Sequence, residues 1–279
     1  MSTVVASNFF NIVPNIVKII NSFKMFYFNY IYVCFIMYLG LSKIKSMWDK
    51  HVIERENIIP IIHGTFSFFS DYINSRTHIN SGTHIDFISR FRKINSEKDI
   101  HIILHTRGGA LSSAEAICNC ILNYDGTKQI IAYIPYYAYS GGAMIALACN
   151  KIVLFKDSVL GPCDAQMMLD KFTQYPASGI IDTINFKKQN KENIKENWLA
   201  ADHESQLCQK RQKKYINTLI KHRKYSEENC NKIYDEFFSG KYNHDNIFSA
   251  QELIDLGINI EVVDTMPNFI EKEIKNLCT

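Results

Sequence analysis

The sequence predicts an α/β protein whose core is a mainly parallel sheet covered by helices. Between Ile58 and Val263, strand-like runs rich in β-branched residues alternate with helix-like amphipathic segments, a pattern typical of parallel sheets. Two of the strand-like runs lead into a Gly-Gly pair that opens a helix, so both turns are expected at the carboxyl edge of the sheet. With 279 residues, 47% of them hydrophobic, the chain can bury a full core.

The composition argues against several classes of protein. The net charge is only +3, which does not favour a nucleic-acid partner or an acidic substrate. The eight cysteines form no C-x-x-C pair and no zinc-ligand spacing. Several of them lie in apolar runs, where a free thiol packs as a small hydrophobe. We therefore expect reduced, structural cysteines and a cytoplasmic catalytic domain.

The N-terminal region is expected to contain a membrane anchor. After a lead over residues 1–24, residues 25–41 (MFYFNYIYVCFIMYLGL) carry no charge and are just long enough to form a transmembrane helix. The alternatives are a buried core helix or a cleaved signal peptide, although no A-x-A-like site follows Leu41. A slight excess of lysines after this segment favours a cytoplasmic C-terminal domain. Residues 42–57 are expected to form a charged stem.

Residues 58–265 are expected to form one domain, in which strands and helices alternate. Within its first helix, the spacing of apolar residues predicts that Ile85, Ile88 and Phe91 face the core. The predicted elements of the first half are strand 58–63, helix 83–93, strand 100–104, helix 114–122, strand 129–134, helix 143–149 and strand 151–154.

The second half of the domain is predicted to be richer in helix. Residues 172–197 contain many lysines and asparagines, which indicates an inserted helical arm with a solvated face. A long helix over 200–222 follows, with an apolar stripe through Cys208, Tyr215, Ile216 and Leu219. Ser249 and Glu252 have the spacing of a capping box at the start of another helix. A last strand over 258–263 and a C-terminal tail over 266–279 complete the prediction.

The two Gly-Gly turns indicate acyl chemistry. Ser140 lies between an extended aromatic run and a helix-forming segment, so its hydroxyl is expected at a helix N-terminus, where free N–H groups can stabilise an oxyanion. Gly141 lets a substrate backbone come close, and the turn at Gly108 and Gly109 can supply a second donor. A single such junction is more often structural than catalytic, but two in one domain favour a catalytic role.

Three stretches of the sequence resemble the SDH-type serine proteinases. These stretches are LHTRGGALSSAEAI, IPYYAYSGGAMIALACNKIVLFKDSVLGPCDAQ and GKYNHDNIFSAQELIDLGI, which occur in the order and spacing of the family. The family is a membrane-anchored branch of the Clp-type and signal-peptide-peptidase serine peptidases, so the resemblance implies a ClpP/crotonase-like ββα superhelix. One departure is Arg107, where the family usually has proline; it either alters the turn or supplies a cation to the substrate groove.

The resemblance implies a role for each glycine turn. Ser140 becomes the nucleophile, and the N–H groups of Gly141 and of Gly108 or Gly109 form the oxyanion hole. Clp-type peptidases complete a Ser-His-Asp triad with a histidine about 25 residues after the serine. Here Cys163 and Asp164 occupy that place, so the general base must come from elsewhere in the chain.

Two types of general base remain open. Asp245, in D-x-x-x-S-A before a helix, stands where the resemblance places the family aspartate, so the adjacent His244 is the leading candidate. Either Asp164 or Asp245 would then orient its ring. Signal-peptide-peptidase relatives instead use a Ser-Lys dyad, for which Lys213 is the best candidate and Lys210 and Lys214 are the next.

The alternative interpretation of these polar residues is a purely structural role. Asp164 and Asp245 are of a type that often caps turns. His63, His101 and His105 lie on or beside strands, where structural roles are commoner, and His105 is expected to brace the oxyanion turn.

The resulting hypothesis is a membrane-anchored serine endopeptidase that needs no metal or cofactor. Its expected partners are a polypeptide substrate, the membrane and further copies of the same chain, with no nucleic acid. The alternatives are a crotonase-like enzyme that binds acyl-CoA, and a catalytically silent scaffold of the same fold.

Overall fold

The structure, a computed structural model, describes residues 57–63, 78–169, 173–223 and 225–277. All of them belong to a compact unit that spans Glu54–Thr279. The lead, the expected transmembrane segment 25–41 and nearly all of the expected stem lie outside these residues. Among the described helices, none combines the length and the apolar character needed to cross a membrane.

The strands and helices follow the predicted alternation. The strands are β1 Ile58–Ile62, β2 Ile100–His105, β3 Ile130–Ile134, β4 Tyr137–Ala138, β5 Lys151–Phe155, β6 Val159–Leu160, β7 Gln166–Met168, β8 Gln174–Pro176 and β9 Ile260–Val263. The helices are α1 Ser81–Phe91, α2 Leu111–Leu122, α3 Gly141–Ala148, α4 Ala177–Gln189, α5 Glu196–Arg223, α6 Glu227–Ile233, α7 Ala250–Asp255 and α8 Asn268–Leu277, and a π-helical turn at Tyr234–Phe238 follows α6.

The main sheet has five strands in the order β1-β2-β3-β5-β9. Every neighbouring pair is parallel, which confirms the predicted α/β class. β3 is buried along its whole length, as expected for a central strand that is covered on both faces. Because the strands are parallel, β2 and β3 lead toward the same edge of the sheet, and both Gly-Gly turns follow at that edge.

A second layer of short strands lies beyond this edge. β4 pairs in parallel with β6, and single bridges join Thr106 to Ala138 and Leu160 to Phe248. The chain therefore passes from β3 through β4 into α3, and from β5 through β6 toward the β7–β8 hairpin. This layer connects the Ser140 turn to the residues after Leu160.

Helix α1 differs from its prediction in the side chains it buries. Phe87 and Phe91 are buried, whereas Ile85 is 62% exposed, so the expectation for Ile85 was wrong. The helix begins at Ser81, where the Asn80 side chain accepts a hydrogen bond from the Thr83 N–H group. Phe87 and Phe91 are one helical turn apart and their rings stack, which fixes the buried face.

The arm and the long helix also differ in their boundaries. The segment expected as a helical arm contains β8 and α4, and β8 forms a hairpin with β7. Helix α5 begins at Glu196, earlier than predicted, and its Tyr215, Ile216 and Leu219 are buried as the apolar stripe required.

The C-terminal part packs into the domain. The capping box of Ser249 and Glu252 at the start of α7 is confirmed. Residues 266–279, expected as a tail, instead contain α8, and Ile270 on this helix is fully buried. The packed domain therefore continues beyond residue 265.

The end of α5 joins two other helices. Nε of Arg223 donates to the carbonyl oxygen of Ala148 at 2.6 Å, and Nη2 donates to that of Ile121 at 3.1 Å. These carbonyls lie in the last turns of α3 and α2, where backbone oxygens often lack an intrahelical partner; that of Ile121 also accepts from the Tyr124 N–H group at 3.3 Å. One guanidinium thus links the C-terminal ends of the two helices that begin at the Gly-Gly turns.

Candidate active site

Ser140 adopts a strained backbone conformation at the start of α3. Its φ is 50° and its ψ is −123°, in a region that residues with side chains rarely occupy. The N–H group of Ser140 donates to the carbonyl oxygen of Pro162 at 2.9 Å, and its own carbonyl accepts from Met144 at 3.0 Å. The helix begins at Gly141, immediately after this turn, rather than at Ala143 as predicted. Such a sharp junction between strand and helix presents a serine hydroxyl outward.

The second glycine turn lies directly against Ser140. A Cβ atom at Gly108 would be 2.6 Å from Cβ of Ser140 and 2.9 Å from the backbone nitrogen of Gly141. At Gly109 a Cβ atom would be 2.3 Å from the carbonyl oxygen of Ile79. Both glycines have positive φ, 92° and 153° respectively. Only glycine allows the two turns to approach this closely.

The N–H groups of these turns differ in their partners. The N–H group of Gly108 donates to Oγ1 of Thr106 at 3.0 Å. Within the described residues, those of Gly109 and Gly141 have no hydrogen-bond acceptor. The nitrogen of Gly109 is 3.7 Å from where a Cβ atom of Gly141 would lie. Two unused donors are therefore available beside Ser140, as an oxyanion requires.

A buried hydroxyl holds the Gly108 turn. Oγ1 of Thr106 accepts from the N–H group of Gly108 and lies 2.6 Å from Nδ1 of His63. Burial, with smaller contributions from His78 and His105, lowers the pKa of His63 to about 4, so the ring is neutral at pH 7 and its Nδ1 can accept a hydrogen bond from the Thr106 hydroxyl. The expected brace, His105, instead has an Nδ1 atom without a partner in the described part of the chain.

Asp164 and His244 form a hydrogen-bonded pair. Nδ1 of His244 lies 2.7 Å from Oδ1 of Asp164, although 80 residues separate them in sequence. The Asp164 side chain is 3% exposed and that of His244 is 36% exposed. Because one ring nitrogen is bound to the carboxylate, the other can face a substrate or a hydroxyl group. The other carboxylate oxygen of Asp164 accepts from Nε2 of Gln166 at 2.6 Å.

The segment that carries Asp164 runs beside Ser140. Pro162 accepts the Ser140 N–H group, and Sγ of Cys163 donates to the Ser140 carbonyl oxygen at 3.3 Å. Ser140 and His244 both lie in the described part of the chain, and no hydrogen bond joins the Ser140 hydroxyl to His244. Catalytic hydrogen bonds often form fully only in the substrate complex, so the lack of this bond does not exclude His244 as the base.

The structure distinguishes the two aspartates by their contacts. Asp245 is exposed. Burial is the largest cause of the raised pKa of the Tyr139 phenol, and the charge of Asp245 makes a smaller contribution in the same direction. The exposed Arg107 opposes the shift, so its guanidinium also lies on the Tyr139 side of the site. Asp164 rather than Asp245 is the hydrogen-bond partner of His244.

The candidate lysines lie on the solvent side of α5. Lys210, Lys213 and Lys214 are exposed, and Nζ of Lys213 lies 5.5 Å from the centre of the Tyr234 ring. The position that faces the site is Gln212, which is buried and donates through Nε2 to the carbonyl oxygen of Cys163 at 2.9 Å. A lysine base requires burial, which none of the three lysines has.

No sequence pattern pointed to Thr106, Gln166 or Gln212, because polar residues of these types occur throughout the chain. Within the described ranges, no group of three or more His, Cys, Asp or Glu side chains is arranged to hold a metal ion.

A strained serine that begins one glycine turn and lies against a second, on a parallel α/β fold, is typical of acyl-transfer hydrolases. The chain belongs to the ClpP-like SDH-type serine proteinase family, whose model matches residues 14–273. It is similar to two uncharacterized proteins of Methanocaldococcus jannaschii. The first is 28% identical over 245 residues, which cover 86% of this chain and 80% of the relative. The second is 27% identical over 230 residues, covering 80% of this chain and 74% of the relative.

Proposed function

We propose that the chain is a serine endopeptidase in which Ser140, His244 and Asp164 form the catalytic triad. The observation that carries the proposal is the bond between Nδ1 of His244 and Oδ1 of Asp164, because it gives the histidine the orientation of a general base. The strained backbone of Ser140 and the unused N–H groups next to it also support a nucleophile at this position.

The mechanism follows from these positions. Nε2 of His244 takes the hydroxyl proton as Oγ of Ser140 attacks a peptide carbonyl, and the negative charge of Asp164 stabilises the imidazolium. The N–H groups of Gly109 and Gly141 bind the oxyanion; Gly108 is excluded because its N–H group is bound to Thr106. His244 then gives the proton to the leaving amine. A water molecule, deprotonated by the same ring, hydrolyses the acyl-enzyme.

The proposal includes the fold and the setting of the enzyme. The passages from β3 through β4 and from β5 through β6 support a ClpP/crotonase-like ββα superhelix. Residues 25–41 would anchor the enzyme in a membrane with the catalytic domain in the cytoplasm, on the strength of their sequence alone. The substrate would be an unfolded or membrane-proximal polypeptide, bound by a homo-oligomer, without metal or cofactor.

Labelling with a fluorophosphonate probe tests the triad. We expect wild type to be labelled, Ser140→Ala to be unlabelled, and His244→Ala and Asp164→Asn to be labelled at least about 100-fold more slowly. Asp245→Asn and Lys213→Ala are the matched controls for the other aspartate and for a lysine base, and each should keep a rate near that of wild type.

Two results would contradict the proposal. Loss of labelling in Lys213→Ala but not in His244→Ala would replace the histidine by a lysine base. A folded wild-type protein that is never labelled would remove the peptidase assignment. Acyl-CoA binding would then separate a crotonase-like enzyme from a silent scaffold.

A further inference from the structure

We propose that Gln166 is a positioning residue that orients the Asp164 carboxylate and couples it to the β7–β8 hairpin. The inference rests on the proposed function. Oδ1 of Asp164 contacts Nδ1 of His244 at 2.7 Å, and Oδ2 accepts from Nε2 of Gln166 at 2.6 Å. The two carboxylate oxygens thus have different partners, and one rotamer of Asp164 satisfies both.

The amide of Gln166 is suited to this position. It donates to the carboxylate and carries no charge, so it does not compete with His244 for a proton. A hydrogen bond to a charged group is stronger than one between neutral groups. Without this bond, the Asp164 carboxylate could rotate about its Cβ–Cγ bond and lose the alignment of Oδ1 with the imidazole.

The hairpin determines where Gln166 lies. Gln166 is the first residue of β7, and it pairs with Pro176 at the end of β8. Helix α4 begins at the next residue, and the N–H group of Ala177 donates to the carbonyl oxygen of Ala165 at 2.8 Å. A shift of the hairpin or of the start of α4 would therefore displace the amide that holds Asp164.

The other side of Asp164 is held by different elements. The carbonyl oxygen of Cys163 accepts from Nε2 of Gln212 on α5 at 2.9 Å. The N–H group of Cys163 donates to the Phe237 carbonyl oxygen at 2.6 Å. These contacts fix the backbone before Asp164, and within the described residues the orientation of its carboxylate then depends on His244 and Gln166.

The test measures the kinetics of fluorophosphonate labelling of the full chain. We expect Gln166→Met, which keeps the side-chain length but removes the donor, to lower the maximal labelling rate roughly tenfold while the probe concentration at half-maximal rate stays unchanged. Gln174→Met is the matched control, because Gln174 is exposed on the neighbouring strand of the same hairpin. Its labelling rate should equal that of wild type.

A second pair of variants separates positioning from a general structural effect. In an Asp164→Ala background, Gln166→Met should have no further effect, because the group that it orients is absent. An equal loss in both backgrounds would overturn the inference, as would a Gln166→Met rate equal to that of Gln174→Met. Melting temperatures check that the variants fold. If Gln166→Met does not fold, Gln166→Leu serves instead, since it also lacks the donor and adds no charge beside Asp164.

The outcome also distinguishes the two proposals. A labelled wild type without a Gln166 effect contradicts only the positioning role. A folded wild type that is not labelled contradicts the serine peptidase and this inference together.

Discussion

At Ser140 the backbone holds a conformation that favours glycine, with φ of 50° and ψ of −123°. The surrounding contacts maintain it, through the hydrogen bonds to Pro162 and Met144. Residues in such regions typically cost about 1–3 kcal/mol of stability, and they concentrate at functional sites. The fold therefore accepts strain at the residue that presents the hydroxyl.

Replacing Ser140 by glycine should release this strain. We expect the free energy of unfolding of Ser140→Gly to exceed that of Ser140→Ala by about 1 kcal/mol, because glycine adopts this conformation without steric cost. Urea denaturation of both variants measures the difference, and Ser140→Ala controls for the loss of the hydroxyl. A glycine variant less stable than the alanine variant would show that the backbone is not strained.

The buried His63 should make the stability of the domain depend on pH. Its pKa is about 4 in the folded protein and 6.5 without burial, so between these values the unfolded chain binds more protons. Stability is therefore lost as the pH falls from 6.5 toward 4, and this contribution is constant above that window.

Between pH 7 and pH 5, we expect wild type to lose about 2 kcal/mol more stability than His63→Gln, in which this titration is absent. Urea denaturation at the two pH values gives both losses. Equal losses would mean that His63 is protonated as readily in the folded protein as in the unfolded chain.

Among the secondary structure elements, the C-terminal end of α5 has a distinct role. Arg223 binds backbone carbonyls near the ends of α2 and α3, and these helices begin at the two glycine turns. The guanidinium therefore ties together the C-terminal ends of the two helices that follow the glycine turns.

Removing this link should destabilise the domain. We expect Arg223→Met to lower the free energy of unfolding by about 2 kcal/mol, because charge-assisted hydrogen bonds to partly buried carbonyls are lost. Arg90→Met is the control, since Arg90 forms an exposed i,i+4 pair with Asp86 and should change stability by less than about 0.5 kcal/mol. Equal effects of the two substitutions in thermal or urea unfolding would show that Arg223 has no linking role.

The elements were predictable from sequence wherever a local pattern determined them. The β-branched run of β1 and the capping box at Ser249 identified their elements directly. The buried face of α1 could not be predicted in this way, because Ile85 and Phe87 are both apolar and only tertiary packing determines which of them is buried. The start of α3 was missed because its glycines suggested a turn.

For the proposed site, the sequence suggested Ser140, His244 and the two aspartates as candidates but not which aspartate contacts the histidine. Whether Asp164 or Asp245 contacts His244 depends on how distant segments pack, and no local pattern encodes it. Likewise, the choice between Gly108 and Gly109 depends on the hydroxyl of Thr106, whose role is visible only in three dimensions.

For the whole molecule, the proposed anchor at residues 25–41 would determine where the domain acts. We predict that the full chain remains in the membrane fraction after carbonate extraction, whereas a chain that begins at Glu54, the start of the compact unit, is released into the supernatant. Immunoblotting of the two fractions checks this. Release of the full chain would contradict membrane anchoring by residues 25–41.

The distance along the chain between Asp164 and His244 has a consequence for biosynthesis. These residues are 80 positions apart, so at typical translation rates the ribosome adds His244 roughly 4 to 16 seconds after Asp164. During that interval the nascent polypeptide already contains the serine and the acid but lacks the proposed base. Each new molecule would thus remain inert toward neighbouring nascent chains until His244 has been added and has packed against Asp164.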